Sequence, residues 1–318
     1  MEAKNCSLVD FSISQPTLVF SVVYLVVVAV IGSCANAFVM FTIVYVPSLH
    51  NSFYFLMWCL SLVDFITSFV CVPFFILTMI AGQWPPSLNY VGCKFLAMLR
   101  LACTGASVVV LGMISINRFV KISKPAQVYQ KFSKPLPVAL LMAGHAVIVV
   151  VPLLGPVYGT GAIGYNEAFR LCSAVYCDYK AWLYQVLLSS LSVAYTLLSF
   201  VSTSYLILRK LHQSSRRVQN HSGDKDHGTS NNRLILSQSE LKTTKMLLLL
   251  LLMFLVCWIP LMITVCLDGN FDLPLEALRI TDLIFWANSA INPFLYASMN
   301  KNFMQCAKRI FKCHHAEV

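Results

Sequence analysis

Charge is what this chain has least of. Asp and Glu number 13 and Lys and Arg 23 among 318 residues, so 11% is charged, where soluble domains carry roughly a quarter. With 58% hydrophobic residues there is too little polar surface to coat a water-soluble fold. The chain also lacks a Gly-rich phosphate loop, a nucleophile elbow and a His-Glu-x-x-His pair. Its 12 cysteines are scattered, without metal or redox spacing. These absences speak against an enzyme, and no cofactor is expected apart from a bound ion.

What is present is long apolar stretches. Crossing a hydrocarbon core of about 30 Å takes roughly 20 helical residues. Seven segments qualify: Leu18 to Val46, Ser52 to Ile80, Gly92 to Ile122, Pro135 to Val157, Ala181 to Leu211, Leu241 to Leu267 and Leu278 to Ser298. Lipid offers no partner to backbone polar groups, so the spans must be helices. The expectation is an all-α membrane protein: a seven-transmembrane helix bundle spanning 18–299, with a short amphipathic cytoplasmic helix in 300–318.

Of the 23 Lys and Arg residues, 17 fall on one side of that topology, from Arg118 and Lys121 round to Arg309 and Lys312. Basic loops stay in the cytoplasm, which puts residues 1–17 outside as a short tail and places the chain in the plasma membrane as a multi-pass protein. The net charge of +10 then reflects orientation and contact with anionic membrane lipid, not nucleic acid. The first 16 residues lack the layout of a cleaved signal peptide, so the first span acts as its own insertion signal. Asn5 in Asn5-Cys6-Ser7 is a glycosylation acceptor on the outside, whereas Asn220-His221-Ser222 lies in the cytoplasmic loop and should stay unmodified. Residues 213–240 are poor in apolar residues and read as a disordered cytoplasmic loop. Cys93 at the outer start of the third span can form a disulfide with Cys172, the preferred partner, or with Cys177. Cys313 follows a basic amphipathic stretch and is a palmitoylation candidate.

From Cys93 to Arg118 is 25 residues, about 37 Å of helix. At 100° per residue, Arg100, Ser107, Ile114 and Arg118 share one face, and charges on that face belong inside the bundle. Asp64 in the second span, Asn36 in the first, and Asn288, Ser289 and Asn292 in the seventh add polar groups at membrane depth. A buried carboxylate without a partner is costly, so Asp64 binds a cation, is protonated, or alternates. The competing reading is a polar network that only joins helices.

In order along the chain stand Asn36 in GSCANAFV, Leu60 and Asp64 in LSLVD, Trp84 before Cys93, Arg118 in NRF, Pro125, then FLVCWIP with Phe254, Trp258 and Pro260, and NPFLY with Asn292, Pro293 and Tyr296. With these the chain resembles the rhodopsin-like (class A) G protein-coupled receptors across nearly its whole length. The resemblance implies that Arg118, restrained by Glu240 at rest, faces a heterotrimeric G protein on activation, that arrestin is a further partner, and that Asn117, Phe119 and Pro125 belong to this coupling region. It makes Trp258 and Phe254 a swinging pair beneath the ligand, gives Pro260 the kink, and has Tyr205 and Tyr296 reach inward in the open state. Asp64, Ser107, Asn288, Ser289 and Asn292 would hold an allosteric sodium ion.

Departures are as informative. Asn117 stands where an acidic residue usually precedes the arginine, which removes one restraint on Arg118. Phe119 stands for a tyrosine, and the usual fourth-helix tryptophan and fifth-helix proline are missing near His145 and Leu197. The trigger that relies on that proline must be built another way. An asparagine before the arginine resembles melatonin receptors. The lost proline and the YASMNKNF ending look more like the medium-chain fatty acid receptor and the insect trapped-in-endoderm and moody group.

Bioamine receptors of the family carry aspartate where this chain has Arg100, and opsins carry lysine where it has Trp286, so neither an amine nor retinal is expected. Arg100 can hold a carboxylate or phosphate, with Arg170 as a steering charge, which points to an anionic lipid or small acid. Alternatively Asp282 neutralises Arg100 internally, and Arg279 competes for Asp282. Ser189, Ser190, Trp258 and Trp286 complete the candidate pocket. The alternatives to a coupled receptor for such a ligand are a melatonin-like indoleamine receptor and a non-coupling seven-helix receptor or transporter.

Overall fold

The computed structural model describes residues 13–153, 162–167, 169–175, 227–268 and 273–315, with part of 183–213. Helix α1 (Gln15–Tyr45) is followed by α2 (Ser52–Ala81), α3 (Asn89–Ser123) and α4 (Pro135–Leu153). The described residues of 183–213 are helical and constitute α5. Helix α6 (His227–Asp268) leads to α7, formed by Leu275–Trp286 and Asn288–Met299 on either side of Ala287, and to α8 (Lys301–His315). Between α4 and α5, β1 (Ala162–Asn166) pairs antiparallel with β2 (Leu171–Val175), Tyr165 standing opposite Cys172. A short helix, Ala126–Phe132, links α3 to α4.

Local chemistry sets these limits. Ser14 Oγ accepts from the Thr17 amide at 3.3 Å, and Asn51 Oδ1 accepts from the amides of Phe53 and Tyr54 at 3.1 and 3.3 Å, starting α1 and α2. Pro73 would clash with the carbonyl of a regular turn before it, and α2 answers with a wide π turn over Thr67–Cys71. Gly82 closes α2 in the left-handed region at φ 69°. Helix α3 stops at Lys124, extended at φ −111° and ψ 155°, because the next residue is Pro125.

The helices pack as neighbours in the order α4–α3–α2–α1–α7–α6. Their shared core holds Leu56, Met57 and Leu60 of α2, Leu111 and Ile114 of α3, Leu250 and Phe254 of α6, and Tyr296 of α7. Outward-facing apolar residues such as Val19, Phe20, Val23 and Val30 of α1 are more than half exposed, as a lipid-facing surface requires. By length and composition alone, α1, α2, α3 and Lys245–Leu267 of α6 are long and apolar enough to cross a membrane. The other spans are shorter, broken or described only in part: α4 runs for 19 residues, α5 is incomplete and α7 is interrupted at Ala287.

One expectation changes and one preference is met. The stretch 213–240, read as disordered, is helical from His227 onward, continuous with α6; 214–226 lies outside the described residues. Leu234, Ile235, Leu236, Glu240 and Leu241 are adequate helix formers, and extending an existing helix avoids the cost of a new nucleus. The choice between Cys172 and Cys177 is settled in favour of a Cys93–Cys172 bridge, with Cα atoms 5.4 Å apart. Cys177 lies outside the described residues, as does Asn5.

Helix α1 packs tightly on α2 at Gly32. A Cβ added to Gly32 would sit 2.9 Å from the Ser68 Cβ and closer still to its Oγ. Gly32→Ala should therefore force the helices apart at a cost of about 1–3 kcal/mol. A fall of several degrees in the melting temperature of the purified protein is expected, and an unchanged melting curve would contradict this packing. Peptide mapping without reduction should recover Cys93 joined to Cys172, and recovery of a Cys93–Cys177 peptide would contradict the fold of the hairpin.

Candidate functional site

The face predicted for α3 points into the bundle: Ser107, Ile114 and Arg118 are buried, and Arg100 is 18% exposed at its side chain. Three polar centres lie along this axis. The first is at the end of the bundle closed by the disulfide, the second is midway, and the third is at the opposite end.

At the disulfide end, Arg100 Nη2 lies 3.1 Å from Asp282 Oδ1 of α7, and Asp282 is 3% exposed. The second carboxylate oxygen, Oδ2, accepts from the Trp286 indole N–H at 2.9 Å. Residues 282 and 286 are one turn apart, so a single face of α7 supplies both the carboxylate and its second donor. The guanidinium carbon is 5.2 Å from the ring centres of both Phe285 and Trp286. Arg100 Nε has no hydrogen-bond partner among the described residues. Of the two options left open by the sequence, the structure contains the internal pair, and Arg279 is buried nearby on the same helix.

A narrow cleft with room of only about 20 Å³ opens beside Arg100, walled by Phe74, Phe75, Trp84, Leu96 and Trp286. The hairpin covers it. Arg170, at a turn with φ 53°, donates from Nη1 to the Met79 carbonyl at 3.0 Å, while its own carbonyl accepts from Thr78 Oγ1 at 2.7 Å. These bonds hold an arginine in a backbone region it seldom adopts, and they direct its guanidinium to the end of α2. In this arrangement Arg170 latches the hairpin. Tyr165 of β1, outside the membrane-spanning segments, has its hydroxyl pushed up to about 12 chiefly by burial, which keeps it neutral. Ser190 is exposed on α5, and Ser189 lies outside the described residues.

Beneath the pair runs an aromatic column. Phe285 meets Trp258 of α6 edge-on at 5.2 Å, and Trp258 stacks on Phe254 at 4.9 Å. Pro260 follows within α6. On the other side, Trp286 stacks on Phe75 of α2 at 5.5 Å.

Midway, Asn292 Nδ2 donates to Asp64 Oδ2 at 2.8 Å, and Ser289 is close enough to hydrogen-bond the same carboxylate. Asn36 Nδ2 donates to the carbonyls of Gly32 and Ser289 at 2.9 and 2.8 Å, tying α1 to α7. Ser107 Oγ donates to the Cys103 carbonyl at 3.1 Å, leaving its lone pairs available. Asn288 is buried on the same part of α7. Asn36 Oδ1, Ser68 Oγ and the Tyr296 hydroxyl are buried without a hydrogen-bond partner among the described residues. A lone carboxylate with hydroxyl and amide oxygens around it is the donor set a hard cation takes. Among the described residues no group of three or more His, Cys, Asp or Glu side chains could hold a metal.

At the far end, the Arg118 guanidinium carbon lies 3.4 Å from the ring centre of Phe53 on α2. Asn117 Nδ2 donates to Ser52 Oγ at 2.9 Å, and Ser52 Oγ is 3.3 Å from the Tyr129 hydroxyl. Asn117 thus fastens α3 to α2 and to the short helix after Pro125, and its amide does not restrain the arginine. Tyr54 OH donates to Asn300 Oδ1 at 3.2 Å, joining α2 to the start of α8. The backbone of Glu240 is helical, but its side chain lies outside the described residues, as does that of Cys313. Tyr296 and Pro293 are buried and Phe119 is half-buried. Tyr205, expected to reach inward, is 62% exposed on α5 in this structure.

Phe285, Phe53, Ser52 and Tyr129 are absent from the sequence-based candidates. Phe285 had a signal, since it lies three residues after Asp282 and beside Trp286. Phe53 had none, because only the packing of α2 on α3 brings it to Arg118.

Comparison with known proteins agrees with this geometry. The family described as 7 transmembrane receptor (rhodopsin family) matches residues 35–296. Adenosine receptor A3 of Ovis aries is 26% identical over 305 residues, 92% of this chain and 90% of that protein. The 5-hydroxytryptamine receptor 1B of Homo sapiens is 24% identical, covering 98% and 92%. The G-protein coupled receptor moody of Drosophila melanogaster is 21% identical, covering 96% of this chain and 53% of that one. Squid rhodopsin superposes with a TM-score of 0.82 at 17% identity, over 95% of this chain and 87% of that one, a likeness of fold. With an ordered set of motifs, a matching helical bundle and a family match across most of its length, the chain belongs to the rhodopsin family of seven-transmembrane receptors.

Proposed function

We propose that this receptor takes a small anionic ligand, a lipid acid or another carboxylate or phosphate, in the cleft beside Arg100. It then activates a heterotrimeric G protein at the Arg118 end by outward movement of α6. The observation that carries the reading is a guanidinium deep in the bundle whose counter-ion comes from the protein itself. An incoming anion competes with Asp282 for Arg100, and the apolar walls of Phe74, Phe75, Trp84 and Leu96 suit its hydrocarbon or aromatic body. An ammonium ligand would instead meet a positive charge. In this reading the disulfide end and the N-terminus face outside, and the Arg118 end meets the G protein and arrestin inside.

The Arg118 guanidinium rests on Phe53, and Asn117 is committed to Ser52, so separation of α6 exposes Arg118 without breaking a pair with its neighbour in sequence. Asp64, Ser107, Ser289, Asn292 and Asn288 would hold sodium at rest. The ion would supply a positive charge that neutralises Asp64 and ties α2, α3 and α7 together. A second reading draws on the closed Arg100–Asp282 pair: a neutral ligand of the melatonin-like indoleamine class would leave that pair intact.

Three outcomes are expected. Arg118→Ala at normal surface expression should lose most G protein nucleotide exchange, and unchanged exchange would refute coupling through this residue. In a screen of fatty acids and indoleamines, acids should act, and Arg100→Ala should weaken them by about 10- to 100-fold, the loss of one charge-assisted contact. Activity of neutral compounds alone, unaffected by Arg100→Ala, would favour the second reading. Sodium should lower basal exchange relative to potassium in the wild type and have no such effect in Asp64→Asn.

A further inference from the structure

The missing fifth-helix proline leaves open how binding near Arg100 reaches α6. In this chain Trp258 is held in an unusual way. A buried indole N–H ordinarily finds an acceptor, yet Trp258 Nε1 has none among the described residues. The ring contacts that fix it are Phe254 below, on its own helix, and Phe285 above, from α7. Phe285 in turn has Arg100 5.2 Å from its ring centre and Trp286 edge-on at 5.8 Å. Trp286 is anchored by its N–H to Asp282, the carboxylate that also holds Arg100. One ion pair thereby sets the position of both α7 aromatics, and one of those aromatics sets the position of Trp258.

We propose that Phe285 is the positioning residue that couples Arg100 to α6, so that the trigger of this receptor runs through α7. With Arg100 paired to Asp282, the guanidinium lies over Phe285 and keeps it edge-on against Trp258. When Arg100 is drawn towards another anion, Phe285 loses its cation and Trp258 loses the only contact from outside its own helix that these rings provide. The indole, with no hydrogen bond among the described residues to pin it, turns with Phe254, and α6 follows at Pro260. This coupling rests on the reading of Arg100 as the ligand-side group, but its operation needs no particular ligand.

The test removes the cation without leaving a lone buried charge. Arg100→Gln combined with Asp282→Asn keeps neutral hydrogen-bonding groups at both positions, including an acceptor for Trp286. The full chain is labelled with 5-fluorotryptophan, and the Trp258 resonance is assigned by its loss in Trp258→Phe; five tryptophans keep the spectrum tractable. The double substitution should shift or split the Trp258 signal in the otherwise wild-type chain, leave it unmoved in a Phe285→Leu background, and move it again in Phe285→Tyr, which retains the ring. Basal nucleotide exchange should rise several-fold with the double substitution and by less than about 1.5-fold once Phe285 is Leu, a non-additivity that marks coupled residues. A Trp258 signal that responds equally with Leu at 285, or does not respond at all, overturns the proposal. Because the experiment uses no ligand, a neutral agonist would sink the anion reading and leave this coupling standing, while an acid agonist with an unresponsive Trp258 would do the reverse.

Discussion

In a bilayer core a polar group that loses its protein partner finds no water in exchange, and this constraint organises the bundle. Buried polar residues therefore pair across helices, and three of these pairings involve one helix. Asp282 and Trp286 of α7 meet Arg100 of α3, Ser289 meets Asn36 of α1, and Asn292 meets Asp64 of α2. Helix α7 thus serves as the common partner of the first three, at successive depths. Asn36 Oδ1, Ser68 Oγ and the Tyr296 hydroxyl stay without a hydrogen-bond partner among the described residues.

Three kinds of sequence feature decided how much could be read in advance. Charge scarcity and span length were sufficient for a seven-helix membrane fold, because lipid leaves so few alternatives. The 100° periodicity of α3 placed Arg100, Ser107, Ile114 and Arg118 on the inner face, since a helix that long has a fixed phase. Motif order was sufficient for the receptor family. The Arg100–Asp282 contact stayed undecided because two acceptable partners for one carboxylate, Arg100 and Arg279, differ only in tertiary placement. Phe53 beneath Arg118 was invisible for the same reason. The helical course of 227–240 was missed because low apolar content says little about a segment that simply prolongs a stable helix.

The two ends of the bundle are restrained by unlike means. The disulfide end is held by covalent and ionic contacts: Cys93–Cys172, Arg100–Asp282 and the Arg170 latch on α2. At the opposite end Asn117 bonds to Ser52, Tyr54 bonds to Asn300, and the Arg118 guanidinium rests on the Phe53 ring.

The wide turn at Thr67–Cys71 has a bearing on how the gene can vary. A residue more or less in a helix turns everything beyond it by about 100°. Past that turn α2 carries Phe75 to Trp286 and Thr78 to the Arg170 carbonyl, while before it Asp64 faces Asn292. Both halves look inward only because the bulge resets the phase between them. Deleting the codon for Phe69 or Val70 would spare every named residue and still swing the cleft wall towards lipid, so length in this segment is under the same constraint as identity.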